Sequence, residues 1–211
     1  MDKEGVIKFH LHHQQRLLSG LSIANLNAWR TLIFRLGLIG RHPEKYDNLG
    51  YGNISQRPSE NSRQFIISGT QTGHLEQLSA AQYCLISDAD PAANELHSQG
   101  LVKPSSESLT HASVYAQNSH IQAVIHGHCP EIWRNTAQLQ LAHTSAQIAY
   151  GTPDMAFAVQ KLFTESALTS TGLFTMLGHE DGVIAFGNTL SDAAMVLIHY
   201  LQQAIQLQQS D

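Results

Sequence analysis

Two histidines separated by one glycine, His126-Gly127-His128, follow the apolar run Ala123-Val124-Ile125. Along an extended strand, residues i and i+2 point to the same face, so both imidazoles can reach one ion. Gly127 leaves room for that close approach. Imidazole suits a divalent transition metal such as zinc, and a catalytic zinc takes about three protein ligands and keeps one position open. The pair supplies two. On its own the pair is a weak signal, more readily read as two strand-end histidines hydrogen-bonded to their neighbours. His179 stands at a strand boundary, just ahead of Gly182-Val183-Ile184-Ala185-Phe186, and is the candidate third ligand. Glu107 follows Pro104-Ser105-Ser106 at a helix start, where the helix dipole favours a carboxylate. Beside a metal, such a group can move a proton on a substrate carbon or hydroxyl; away from one, it only steadies the helix.

These residues need elements to hold them. Apolar residues at Ile23, Leu26, Trp29, Ile33 and Leu36 predict a helix over residues 22–38. Residues 49–56 are glycine-rich and then β-like. Phe65-Ile66-Ile67 reads as a buried strand running into the turn-rich loop 68–73. A strand is expected over 83–86, a helix from Pro104-Ser105-Ser106-Glu107 to about Gln117, and a strand over 121–126. Thr152-Pro153 is a cap followed by proline at the first helical position. Short strands are expected over 174–177 and 183–186. A closing helix is expected from Ser191 to about Gln206. Strands and helices mix without strict alternation, which points to a sheet covered by helices.

The chain has 211 residues and no Pro/Gly/Ser-rich linker, so one domain over 1–211 is expected, with 1–20 as a flexible N-terminus. A chain of this length buries roughly 70% of its unfolded surface without disulfide staples. Its net charge is -5 and no basic stripe appears, which argues against nucleic-acid binding. Cys84 and Cys129 lack a pairing pattern and read as reduced thiols. No stretch reaches the roughly 18 apolar residues of a membrane span. Met1 to Glu4 are charged and lack a signal core. Together these features place the chain in the cytoplasm.

The motifs resemble those of the class II aldolase/adducin superfamily across residues 28–203. The resemblance is carried by Gly52-Asn53-Ile54-Ser55, Ile67-Ser68-Gly69 and Lys103-Pro104-Ser105-Ser106-Glu107 with His111 and Tyr115. It continues through Ala123 to His128 and Gly178-His179 with Gly182-Val183-Ile184. It implies an α/β fold of three layers, α/β/α, with a central, largely antiparallel sheet covered by helices. It implies Zn2+, or another divalent transition metal, on His126, His128 and His179, with Glu107 as acid/base. Gly52, Asn53, Ser68, Gly69, Ser105 and Ser106 would line a pocket for a substrate phosphate, and Lys103 could add charge. The implied activity is a zinc-dependent lyase cleaving a small sugar phosphate or hydroxycarbonyl through an enediolate. The same metal site would serve an epimerase, dehydratase or decarboxylase, and a non-catalytic adducin-like binding module is the reading from another class. The resemblance also implies a cyclic homotetramer with sites between subunits.

The sequence departs from the family pattern in three places. Loop 68–73 is long, so Gly69 or Gly73 could take the anion-contacting role. His179 precedes Glu180-Asp181 where the family commonly has His-Gly, and Asp181 could support the ligand from behind. A tyrosine proton donor from a neighbouring subunit is expected in the family. Tyr150 and Tyr200 are available here, each also readable as structural.

Overall fold

The computed structural model describes residues 5–60, 62–166 and 168–209. In chain order the elements are β1 (His10–Gln15), α1 (Ala24–Arg35), β2 (Gly40–Arg41), β3 (Gly50–Tyr51), β4 (Asn53–Gln56), β5 (Phe65–Ser68), β6 (Tyr83–Asp90) and β7 (Glu95–Gly100). They continue as α2 (Ser108–Gln117), β8 (Ala123–His128), α3 (Pro130–Arg134), β9 (Ala142–Thr144), α4 (Pro153–Glu165), α5 (Leu168–Thr171), β10 (Leu173–Met176), β11 (Gly182–Gly187) and α6 (Leu190–Gln208). Nine strands form one sheet in the order β1-β7-β6-β5-β4-β8-β11-β10-β9, and β2 pairs with β3 separately. The interior pairings of the large sheet are antiparallel. Only its outermost pairs, β1 with β7 and β9 with β10, are parallel.

Side-chain alternation along the central strands sorts the core into two halves. Ala123, Ile125, Val183 and Ala185 face one way, against Leu26 and Ile33 of α1, Ile132 of α3 and Leu197 of α6. Val124, Ile184 and Phe174 face the other way, against Leu109 and Val114 of α2, Met155 and Val159 of α4, and Leu168 of α5. The result is the expected three-layer, largely antiparallel arrangement. Because both faces of β8 are covered, all its residues are buried, and its sequence is nearly continuously apolar until the histidines.

Caps explain several helix starts. Thr152 accepts a hydrogen bond from the Met155 backbone N–H, and Thr189 accepts one from Asp192. In α2 Glu107 itself holds the cap position, and Ser105 accepts from the Glu107 N–H at 3.3 Å.

The N-terminus differs from the flexible segment expected over 1–20. Residues 10–15 run parallel to β7, pairing His10 with Glu95 through Gln15 with Gly100. Phe9 is buried and Leu11 packs against the same core half, so two alternating apolar residues suffice to seat the strand. Met1 to Glu4 lie outside the described residues. The mostly polar strand β7 and the extension of β6 to Asp90 also lack an apolar signal. Pairing within the sheet outweighs weak propensity here. Cys84 and Cys129 are buried and unbridged, and burial pushes both thiols up to about 12. No helix among the described residues is long and apolar enough to cross a membrane.

Arg30 is fully buried on α1. Its guanidinium donates to the carbonyls of Leu75 (2.6 Å), Glu76 (3.0 Å) and Thr72 (2.9 Å), fastening the loop after β5 to the helix. Replacing it with methionine keeps the volume but strands these carbonyls. Arg30→Met is expected to lower stability by about 3 kcal/mol, read as a lower urea midpoint.

Candidate metal centre and adjoining pocket

The β8–β11 ladder pairs His126 with Ile184 and His128 with Gly182. His126 and His128 therefore point to the α2 face, beside the turn that enters β11. That turn carries His179: its N–H donates to Met176 O and its carbonyl accepts from the Gly182 N–H, both at 3.0 Å. The extra Glu180-Asp181 is absorbed by a left-handed backbone at Asp181 (φ 60), which aspartate tolerates. Gly182 lets the turn pack closely, since a Cβ there would lie 3.2 Å from the His179 ring.

The structure brings the three histidines together from these two elements. Ring centroids are 5.0 Å apart for His126–His128, 5.0 Å for His126–His179 and 4.9 Å for His128–His179. One candidate ligand atom from each lies within 4.8 Å of the others, and all three residues are buried. Tetrahedral zinc–nitrogen bonds place ligand atoms about 3.4 Å apart, so small ring rotations would close the triangle. His126 Nδ1 lies 3.2 Å from Val183 O, and donating to that carbonyl directs Nε2 to the centre. Burial, reinforced by His179 and His126, holds His128 well below the usual imidazole range, as a neutral lone-pair donor. On donor chemistry the residues fit a zinc-class ion.

Glu107 completes the cluster, with Oε1 3.3 Å from His179 Nδ1. Its Oε2 accepts from Thr110 Oγ1 at 2.8 Å. Burial alone would push its carboxyl up, but the His179 hydrogen bond and nearby His126 outweigh that and hold it ionised below the usual range. Behind it, Ser55 Oγ lies 2.7 Å from His111 Nδ1 and 2.8 Å from Tyr115 Oη. His111 thus belongs to a buried network rather than pairing with Glu107.

Three tyrosine rings pack against the histidines. Tyr46 and Tyr51 pack on His128 at 4.5 and 5.1 Å between centroids, and Tyr46 Oη donates to Asp181 Oδ2 at 2.6 Å. Asp181 therefore supports the site through Tyr46. Tyr150 stacks on His179 at 4.7 Å, and its Oη accepts from the Val6 N–H. Tyr200 packs instead against the α1–α6 side of the core. Sequence reasoning missed Tyr46 and Tyr51, which no spacing ties to the histidines.

Gly52, Asn53, Gly69, Ser105 and Ser106 line one small pocket, together with Gly50 and residues 70–73. It is closed by a bridge between Gly69 and Pro104 and by the Thr70 N–H donating to Lys103 O. Gly52 has φ +72, and a Cβ there would press on Leu38 O and His126 O. Gly69 and Gly73 both reach the pocket. Ser68 does not: its buried hydroxyl accepts from the Ile54 N–H at 3.2 Å, because strand alternation turns it away. Lys103 is exposed to solvent.

A largely antiparallel sheet between two helical layers, carrying this centre on β8 and the β11 turn, defines the class II aldolase fold. Residues 42–209 match the Class II Aldolase and Adducin N-terminal domain, and the chain belongs to that family. The fold is similar to l-fuculose-1-phosphate aldolase from Thermus thermophilus (18% identity, 89% of this chain and 92% of that one, TM-score 0.63). It is also similar to a sugar-phosphate aldolase from Thermotoga maritima (16% identity, 89% and 93%, TM-score 0.65). A third similar structure is the N-terminal class II aldolase domain of a conserved protein from Thermoplasma acidophilum (15% identity, 92% and 98%, TM-score 0.58). Comparison with curated proteins finds no match.

His111 gives this region a pH signature. Burial, aided by His126 and opposed by Glu107, pushes its imidazole down to about 3 from 6.5. The unfolded chain therefore takes up that proton first as pH falls. Its contribution to stability is complete above about pH 6.5 and is lost on acidification toward pH 3. His111→Gln is expected to flatten the stability profile in this window by about 1.4 kcal/mol per pH unit, measured by denaturant melts at stepped pH.

Proposed function

We propose that this chain is a zinc-dependent carbon–carbon lyase of the aldolase type, acting on a small hydroxycarbonyl sugar or sugar phosphate. The observation that carries the reading is the convergence of His126, His128 and His179 with Glu107 in one buried cluster. A zinc-class ion held by those imidazoles would supply Lewis acidity at a substrate carbonyl oxygen. Glu107, ionised and fixed by Thr110, removes or returns the proton at the carbon that loses or gains the C–C bond. Tyr46, Tyr51 and Tyr150 wall the imidazoles and limit water around them. Asn53, Ser105, Ser106 and the glycine-rich turns offer hydroxyl, amide and backbone donors for an anionic end of the substrate. The sugar-phosphate aldolases named above support a phosphorylated ketose. An epimerase, dehydratase or decarboxylase would use the same cluster. A non-catalytic adducin-like module gives no reason to hold a carboxylate against three buried histidines.

Metal analysis and turnover on a ketose-phosphate panel test this reading. His126→Ala is expected to lose the ion at this centre and all turnover. Glu107→Gln is expected to keep the ion while kcat falls by about 10²–10⁴-fold. Wild-type protein whose turnover survives complete chelation would contradict it.

We further propose a homotetramer in the cytoplasm. Exposed Phe157 on α4 and Met195 and Ile205 on α6 are apolar surface suited to subunit contacts. Sedimentation is expected to give a mass about four times that of the chain; a monomer would contradict the assembly.

A further inference from the structure

The other end of the sheet carries a second histidine cluster. Leu11, Ala89 and Leu96 turn inward on β1, β6 and β7. Their neighbours His12, Asp88, Asp90, Glu95 and His97 consequently share the opposite, solvent-exposed face. His12 and His97 are registered partners across the parallel β1–β7 pair, with rings stacked at 4.5 Å and 14°. Glu95 precedes His97 by two residues on the same face. One ligand atom from each of His12, Glu95 and His97 lies within 4.8 Å of the others. Across the β6–β7 hairpin, Asp90 stands directly opposite Glu95, and Asp88 opposite His97. Facing carboxylates destabilise a sheet, and a cation on Glu95 offsets that repulsion.

We infer that His12, Glu95 and His97 form a second divalent-metal site, binding a zinc-class ion through two imidazole nitrogens and one carboxylate oxygen. Imidazole and carboxylate ligands together suit zinc and its transition-metal neighbours, with water completing the coordination. Four strand steps separate β7 from β8, about 19 Å, so this ion is distinct from the one proposed at His126. Its role is a staple. It joins β1 to β7 at a sheet edge, and the chain preceding β1 reaches the candidate centre, where the Val6 N–H donates to Tyr150 Oη. Metal at the edge therefore fixes the segment that holds Tyr150, the ring stacked on His179.

The test is zinc binding by metal-free protein, with bound ion counted after equilibrium dialysis. Wild-type protein is expected to hold two ions per chain, His12→Ala and His97→Ala one each, His126→Ala one, and His97→Ala/His126→Ala none. His12 and His97 are exposed, so these variants keep the core intact. In the His126→Ala background, zinc at about ten times its dissociation constant should slow amide exchange across residues 10–15 about tenfold. Equal ion counts in wild-type and His97→Ala protein, or unchanged exchange, would overturn the second site. An ion lost in His97→Ala with none lost in His126→Ala would leave this site standing and remove the centre proposed at His126.

Discussion

The register of β11 on β8 is the constraint on which the site depends. Because side chains alternate with period two, a slip of one residue would turn His126 and His128 away from His179 and into the α6 side of the core. The same ladder places Val183 O against His126 Nδ1, which orients that ring. It also sets the start of β11, and so the position of the His179 turn. On the other side of β8, β4 pairs Asn53 with His126 and Ser55 with Val124. Pocket and histidine cluster are therefore fixed relative to one another by two adjacent strand pairings.

Holding so many polar groups in a covered sheet requires that each be supported. Ser55 Oγ links His111 Nδ1 and Tyr115 Oη behind Glu107. Arg57 donates to the carbonyls of Tyr115 and Ser119 and lies 4.8 Å from the Tyr115 ring centroid, closing the end of α2. Arg30 does the same for the loop that forms the pocket rim. These supports are long-range in sequence, which makes the site a product of the assembled sheet rather than of any local motif.

That distinction explains which parts are legible in the sequence. His126, His128, Glu107 and the helix beginning at Thr152 announce themselves through i/i+2 spacing or a helix start, and α6 through its helical apolar spacing from Ser191, which are local physics. His179 is legible only as a strand-boundary residue until motif order joins it to the pair. Tyr46, Tyr51 and Arg30 are silent, because their importance lies in contacts 40 or more residues away. Ser68 misleads for the opposite reason: a motif suggests a ligand role, while strand alternation commits its hydroxyl to Ile54. Edge strand β1 reads as a flexible segment because two apolar residues are too few to register as a strand.

The most direct measurement is anomalous diffraction at the zinc edge from crystals of the zinc-loaded protein. The expected map has a peak bounded by His126, His128 and His179, with each bond at about 2.1 Å. A map with no peak there, or with zinc held while one of those three imidazoles points elsewhere, would contradict the metal centre.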